Sequence, residues 1–370
     1  MKKQSGFTLV ELIVAMGVTA VVLTAAVLSF RDSTKANSTI TQKSDMSDNI
    51  RSGLNLMVQD LIQTGTGIPT GGISIPNTAN SSGCNTGKPV NRPPASLSLT
   101  FQGPNSTNPG CNVILPPIEP GNNLGPTITS PDGTSGPASD VITVMYIDNT
   151  LAMDAKPING PACPNGVIDP KGALITFDSS STCGVTIGAA GIPVNVGDLI
   201  MIYNANGNCL QMVSAVSGQT LTFNAGDPFN LNGRTATETG GTIKQLQNAD
   251  GSYPLTSATR VWMITYYLAV PAGDTTHPQL MREVNFNTPQ AVAEVLENLQ
   301  FAYNFADGTS PAPVNQAAVP AADTENQIRS VNVYIGARST STTAGSGKYA
   351  RTNLATQVAL RSMAYFNTYK

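Results

Sequence analysis

The hydrophobic residues at the start of the chain form one long run that is interrupted by a single charge. From Phe7 to Phe30, 24 residues contain only one ionisable side chain, that of Glu11. In a helix, which rises about 1.5 Å per residue, this run extends about 36 Å and crosses a hydrocarbon core of about 30 Å. The sequence therefore predicts a transmembrane helix half at residues 7–30.

A helical pattern continues beyond this run. No proline occurs between Met1 and Ile68, so the helix can extend to the glycine-rich linker at 65–72. Apolar residues recur at intervals of three and four, which marks one face of a helix; they are Met46, Ile50, Leu54, Met57 and Leu61. The pattern is too short for a coiled-coil stalk. It predicts an amphipathic helix half at 31–64 that lies against a sheet.

Residues 65–370 show a different periodicity, in which short apolar runs alternate with hydroxyl and amide residues between clusters of turn residues. This pattern is typical of antiparallel strands. Strands are predicted at 96–101, 141–147, 173–177, 198–203, 209–216, 219–223, 260–270, 330–338 and within 352–366, with long loops at 103–138 and 224–258. The fold class is therefore α+β, with a long N-terminal helix packed on a large antiparallel β-rich domain.

Composition and charge exclude several functions. Only 12% of the residues are charged, the formal net charge is −3, and no basic stripe with aromatic residues is present, so we expect no nucleic-acid partner. The single histidine, His277, lies beside a proline in a turn. Three Asp-Gly segments, at 132–136, 249–253 and 306–310, lack the alternating ligands and closing glutamate of a calcium loop and are expected to be turns. We expect no cofactor, no metal ligand, no catalytic residue and no enzymatic activity.

The residues around Glu11 form a motif, KKQSGFTLVEL at 2–12. It resembles the class III signal of type IV pilins and pseudopilins. The resemblance implies that a prepilin peptidase cleaves after Gly6, that 1–6 is a leader peptide, and that Phe7 is N-methylated. It also implies that Glu11, with Thr8, acts in assembly. The carboxylate could pair with the amine of its own chain or with that of a neighbouring subunit.

An ordinary signal peptide or a simple membrane anchor is the alternative interpretation of this segment. The apolar run is too long for a cleaved signal peptide. A simple anchor has no reason to keep an acid, which costs about 2.5–3.5 kcal/mol at the centre of a membrane helix. Because Lys2 and Lys3 precede the run, we expect the N-terminus in the cytoplasm. The protein would cross the inner membrane once before assembly and later lie in a pilus at the cell surface or in a periplasmic pseudopilus.

Two later segments, TRVWMITYYLAVPAGDTTHPQLMREV and VAEVLENLQFAYNFADGTS, resemble PilW-type minor pilins and, next, J-type minor pseudopilins of type II secretion. The residues that carry the resemblance are Tyr266, Tyr267, Leu280, Met281, Arg282, Val295, Leu299, Phe301 and Tyr303. It implies two strands, a short helix and a third strand.

The function implied by these resemblances is that of a minor pilin or pseudopilin that helps to initiate or cap a type IV pilus-like filament. The alternatives are a pilus-tip adhesin or ligand-binding module, and a minor pseudopilin of a type II secretion system. The implied partners are the prepilin peptidase, other minor and major pilins through the N-terminal helix, the inner-membrane assembly platform and the inner membrane.

Five cysteines indicate an oxidising compartment. They allow fifteen arrangements of two disulfides, of which neighbours in sequence order, Cys84 with Cys111 and Cys163 with Cys183, are the preferred pairs. Cys209 would then be left over, buried in a strand.

Overall fold

The computed structural model describes residues 8–69, 71–75, 90–101, 114–188, 191–232, 242–306, 308, 325–343 and 347–366. Its first element is a continuous helix, α1, at Leu9–Gln63. The helix ends where Gly65 adopts a positive φ of 78°, which a glycine reaches without steric cost, and Gly65 N donates to the carbonyl of Met145 at 2.9 Å. The predicted long helix is confirmed.

The two halves of α1 have opposite environments. The five apolar residues predicted to form its packed face are all buried, at 6% exposure or less. Gly53 allows a close approach to the sheet, since a Cβ at this position would lie 2.9 Å from the Cβ of Ala293. The membrane half contacts nothing in the domain, and its large apolar side chains are exposed.

The rest of the described chain forms twenty strands and a short final helix, α2, at Arg361–Phe366. The strands are β1 (Ile73–Ser74), β2 (Asn91–Arg92), β3 (Leu99–Thr100), β4 (Ile114–Leu115), β5 (Ile118–Glu119), β6 (Thr127–Thr129), β7 (Ser135–Ala138), β8 (Ile142–Ile147), β9 (Val167–Ile168), β10 (Leu174–Thr176), β11 (Leu199–Asn204), β12 (Gly207–Met212), β13 (Ala215–Ser217), β14 (Thr220–Thr222), β15 (Ser257–Ala269), β16 (Gln279–Val284), β17 (Gln290–Glu294), β18 (Leu296–Phe305), β19 (Ile328–Thr342) and β20 (Tyr349–Ala359).

Three sheets organise the domain, and all pairs of these strands are antiparallel. The largest has seven strands in the order β12-β11-β15-β16-β17, with β8 on β15 and β5 on β8. β15 has partners on both edges, because Thr265 pairs with Glu283 of β16 and with Thr143 of β8. The second sheet has the order β18-β19-β20, and the third has the order β13-β14-β10-β9. The α+β class predicted from the sequence is confirmed.

Three hydrophobic cores hold these layers together. The first, the helix-side core, lies between α1 and the first two sheets and contains Leu54, Met57, Tyr266, Phe301 and Val333. A second core packs under the four-stranded sheet, and a third covers the other face of β11, β12 and β15. β15 contributes to all three cores. Tyr266 in the first and Met263 in the third lie on opposite faces, because successive side chains alternate, and Ala258 near the start of the strand lies in the second.

Several sequence expectations differ from the structure. The short helix expected before β18 is wrong, because 290–294 forms β17, whose Ala293 pairs with Leu280 of β16. The segment 96–101 contains only the two residues of β3 as strand, after a 3-10 turn at Ala95–Leu97. The segment 209–216 splits into β12 and β13, because the chain passes from one sheet to another. The loop expected at 103–138 carries β4 to β7, and α2 was not expected.

Candidate assembly site

The first described residues close the amino end of α1 with a capping box. Thr8 is the N-cap, and its hydroxyl accepts a hydrogen bond from Glu11 N at 3.3 Å. In return, Glu11 Oε2 accepts from Thr8 N and from Thr8 Oγ1, both at 3.0 Å. The carboxylate thus satisfies donors that a helix leaves without partners in its first turn, where the helix dipole also favours an anion.

This geometry explains how a helix can carry an acid next to an apolar run. Thr8 and Glu11, to which the resemblance assigns a role in assembly, are in direct contact. The carboxylate remains exposed, so a partner can still reach it. Gly6 and Phe7, the expected cleavage and methylation residues, lie outside the described residues.

After Glu11, the membrane half of α1 presents an uncharged and mainly apolar surface on all sides, in which the hydroxyls of Thr19 and Thr24 donate to carbonyls of the helix itself. The helix is long and apolar enough to cross a membrane, and its most apolar segment is not buried against the domain. Val14, Val21 and Phe30 are 58%, 70% and 76% exposed. A helix that is apolar all round requires lipid or other helices as its surroundings. This surface and the Thr8–Glu11 cap form one continuous candidate assembly site.

A buried polar cluster attaches the other end of α1 to the domain. Asp60 Oδ1 accepts from the hydroxyl of Tyr146 at 2.9 Å, and Asp60 Oδ2 accepts from the hydroxyl of Tyr266 at 2.6 Å. Arg282 donates to both carboxylate oxygens, from Nε at 2.8 Å and from Nη2 at 3.2 Å. Asp60 is 3% exposed, so the helix carries a buried charge whose partners all come from the central sheet.

The protonation of this cluster follows from its burial. Desolvation, followed by the charge of Asp60, raises the pKa of Tyr146 and of Tyr266, so both hydroxyls remain donors. Burial alone lowers the pKa of Arg282, but its hydrogen bonds to Asp60 outweigh this effect and raise that pKa above its usual value. Arg282 therefore stays a cation, and both phenols stay neutral.

Sequence reasoning missed Asp60 as a site residue, although a signal was present. Asp60 follows Met57 by three positions and therefore lies on the apolar face of α1. An acid on an apolar face indicates a buried partner. Tyr266 stood out in the sequence only for the resemblance to PilW-type proteins, and this residue also lies in the helix-side core.

The disulfide Cys163–Cys183 is present, with the two Cα atoms 4.9 Å apart. It lies in the core under the four-stranded sheet. Cys209 is buried in β12 and is not part of this bond. The other expected pair, Cys84 with Cys111, lies outside the described residues.

The remaining candidates form turns. His277 Nδ1 lies 2.7 Å from Asp274 Oδ2 in the turn between β15 and β16. Asp132 and Asp250 accept hydrogen bonds from the backbone of their own turns, at Thr134 and Ser252. Within the described ranges, no group of three His, Cys, Asp or Glu residues is arranged to hold a metal ion. Most of the segment 306–310 is outside those ranges.

Comparison with known families adds one finding. The family described as a prokaryotic N-terminal methylation motif matches residues 1–27. The match supports a type IV pilin- or pseudopilin-like protein with a structural role, whose signal motif implies processing by a prepilin peptidase. With the apolar helix, it fits anchoring in the inner membrane before assembly. No curated protein and no solved structure matches the chain.

Proposed function

We propose that this protein is a minor pilin that helps to initiate or cap a type IV pilus-like filament. The observation that carries the proposal is the exposed, mainly apolar membrane half of α1. It begins at the Thr8–Glu11 cap and is continuous with the helix half that packs on the large β-rich domain, the head. Such a helix leaves the membrane only by entering another apolar environment, and a bundle of identical or related helices supplies it.

Two further features support the proposal. The large head favours a position that occurs once in a filament. In a shaft, the head of every subunit has to pack against the head of the next subunit. The two later segments that resemble PilW-type proteins form β15, β16 and β18, which belong to the sheets that pack against α1. A minor pseudopilin of a type II secretion system is the alternative within the same class.

In this proposal, Glu11 pairs with the N-terminal amine of a neighbouring subunit after cleavage. The capping box satisfies the first turn of α1, but it leaves an anion at a position that the membrane makes costly. A cationic amine beside it removes that cost, and the charged hydrogen bond is worth about 1.5–3 kcal/mol. Docking next to another helix is thus favoured over remaining alone in the bilayer.

The test compares wild type with Glu11→Ala and Glu11→Gln. We expect normal membrane insertion, normal processing and a reduced amount of the protein in sheared filaments. The matched control is Thr8→Val, which removes the hydroxyl of the cap but keeps the carboxylate. If Glu11 acted only as a helix cap, Thr8→Val would reduce filament content as strongly as Glu11→Ala. That result would contradict pairing between subunits.

A second readout separates the pilus from the secretion system. Under conditions that produce surface filaments, we expect the protein in the sheared fraction and a loss of filaments when its gene is deleted. Normal filaments in the deletion strain, together with a loss of secreted enzymes, would assign the protein to a type II secretion pseudopilus instead.

A second candidate function, a ligand-binding head displayed on the filament, is favoured by one observation. The face of the β18-β19-β20 sheet that points away from α1 contains two adjoining concave regions lined by amides and a tyrosine.

A further inference from the structure

The sheet formed by β18, β19 and β20 has one face that takes no part in the core. Side chains alternate between the two faces of a strand. The inward set, which includes Phe301, Val333 and Val358, belongs to the helix-side core. The outward set points away from α1, and therefore away from any bundle that α1 joins. Part of this face lies against the β6–β7 hairpin, whose Asp132 pairs with Arg351.

The centre of the outward face is made of amides, small residues and one aromatic ring. Its two central cross-strand rows are Gln300 with Tyr334 and Ala355, and Ala302 with Asn332 and Gln357. None of these six residues is charged. The small residues stand next to the larger ones in both rows, so the surface has depressions beside the ring.

Tyr334 is held in a defined orientation. Its Cε1 atom lies 3.9 Å from the position that a Cβ on Gly336 would occupy, so the ring leans over this glycine. Its hydroxyl accepts a hydrogen bond from Nδ2 of Asn353 at 3.1 Å. The ring is half-buried, which leaves part of its surface open to a ligand. A fixed ring loses little conformational entropy when it binds.

Two concave regions meet at Tyr334. One has a volume of about 450 Å³ and is bordered by Asn298, Gly336 and Asn353. The other, of about 500 Å³, is bordered by Gln300, Asn332 and Gln357 on the other side of the ring. Each volume lies in the range of small-molecule sites, which is about 300–1,000 Å³. Because both regions share the ring, one elongated ligand can occupy both.

The electrostatics of these regions favour an uncharged ligand. The cation at the rim, Arg351, donates to Glu297 at 2.8 Å and to Asp132 at 2.9 Å, so its charge is neutralised within the protein. The amide groups present donors and acceptors together, which matches hydroxyl groups that also do both. Gln357 is oriented by its bond to the hydroxyl of Ser330 at 3.0 Å.

We propose that this face binds a neutral oligosaccharide, which stacks one sugar ring on Tyr334 and places its neighbours in the two concave regions. The apolar face of a pyranose packs on an aromatic ring, while its hydroxyl groups exchange hydrogen bonds with Asn298, Asn332 and Gln357. The site is a property of the head. Sugar binding depends on the folded sheet and not on filament assembly. Loss of sugar binding and loss of assembly are therefore separate results, and one does not decide the other.

The test uses the full-length chain, purified in an amine-oxide detergent because maltoside headgroups are themselves sugars. The probes are immobilised maltohexaose, cellohexaose, chitohexaose and mannohexaose, with a hyaluronan hexasaccharide as the anionic comparison. We expect at least one neutral probe to bind. Tyr334→Ala should weaken that binding roughly tenfold, because an aromatic contact of this kind contributes on the order of one tenfold step.

Three further variants test the concave region beside the ring, the ring itself and an unrelated tyrosine. Ala355 is exposed beside the ring, so Ala355→Glu should leave the sheet folded while its side chain fills the second concave region. We expect this variant to lose as much sugar affinity as Tyr334→Ala. Tyr334→Phe keeps the ring and should keep most of the affinity. Tyr203→Ala removes a half-buried strand tyrosine in another sheet and should change nothing. Binding by no neutral probe, binding by the anionic probe alone, or unchanged binding in Ala355→Glu would each overturn the proposal.

Discussion

Asp60 of α1 and Arg282 of β16 lie 222 positions apart in the chain and form an ion pair with a distance of 2.8 Å between Oδ2 and Nε. The two side chains are only 5% and 19% exposed. This pair, with the hydroxyls of Tyr146 and Tyr266, fixes the end of the long helix to the central sheet. A helix that is exposed over its first half is thus held at its other end by apolar packing and by a buried charge.

Replacing Asp60 with Ala should destabilise the domain by about 3 kcal/mol, because the change leaves the cation of Arg282 buried without its partner. Urea unfolding of the full-length chain in detergent, followed by tryptophan fluorescence, measures the free energy of unfolding. Asp48→Ala, on the exposed face of the same helix, is the matched control and should change it by less than about 0.5 kcal/mol. Equal losses in the two variants would contradict the role given to the cluster.

Removal of the disulfide should also lower stability. Cys163 and Cys183 are 20 positions apart, and a loop of this size contributes about 3 kcal/mol by restricting the unfolded chain. We expect the double variant Cys163→Ser/Cys183→Ser to lose about this amount. Hydrogen exchange should locate the loosening in β9, β10 and β14, while β18 and β19 keep their protection. Uniform loosening of all sheets would show that the bond stabilises more than its own subdomain.

Processing should occur between Gly6 and Phe7. The peptidase must accommodate the residue before the cut, so a bulky side chain in Gly6→Leu should block cleavage. Mass spectrometry of the amino terminus is the measurement. Processing removes Lys2 and Lys3, so the mature chain has 20 − 2 = 18 basic residues against 23 acidic ones, a net charge of −5. An intact Met1 terminus, or a cut near Ala26, would contradict the signal assigned to this segment.

The ion pair at the rim of the outward face should respond to acid. Desolvation raises the pKa of Asp132, but hydrogen bonds from Arg351 and Thr134 outweigh it and lower that pKa to about 2. Because the folded-state pKa is below the unfolded value of about 3.9, the ionised group stabilises the fold above that value. This contribution is lost as the pH falls towards about 2.

The measurement is the difference in thermal midpoint between wild type and Asp132→Asn as a function of pH. The difference should be constant above about pH 5 and vanish near pH 2. Arg351→Gln should abolish most of the same pH dependence, because its guanidinium supplies the main favourable contact. A difference that persists unchanged down to pH 2 would assign the stabilisation to another group.

Much of this architecture is predictable from local patterns. The apolar run at 7–30 and the three-and-four spacing from Met46 to Leu61 specify α1 and its packed face, because helix periodicity is a property of neighbouring residues. Apolar runs and period-two alternation between turn clusters likewise located β8, β11, β15 and β19. Glu11 stood out because a single acid in an apolar run has no ordinary explanation.

The remainder depends on partners that are distant in sequence. The segment before β18 has residues that favour a helix, yet its backbone pairs with β16, and these ladder bonds override local propensity. The division of 209–216 into β12 and β13 follows from which sheet each half joins. Asp60 and Arg282 could each be noticed, but their pairing is decided by the fold.

The attachment of α1 also determines how the protein bears load. Its packed contacts extend from Met46 to Leu61, about 22 Å along the helix axis, and end at the Asp60 cluster. A pull on the exposed half acts parallel to this interface, so the apolar contacts and the ion pair resist it together in shear and are not peeled apart one after another. The head and its helix therefore overlap along the direction of the load. An overlapping joint loaded in shear withstands more force than one whose contacts break one after another.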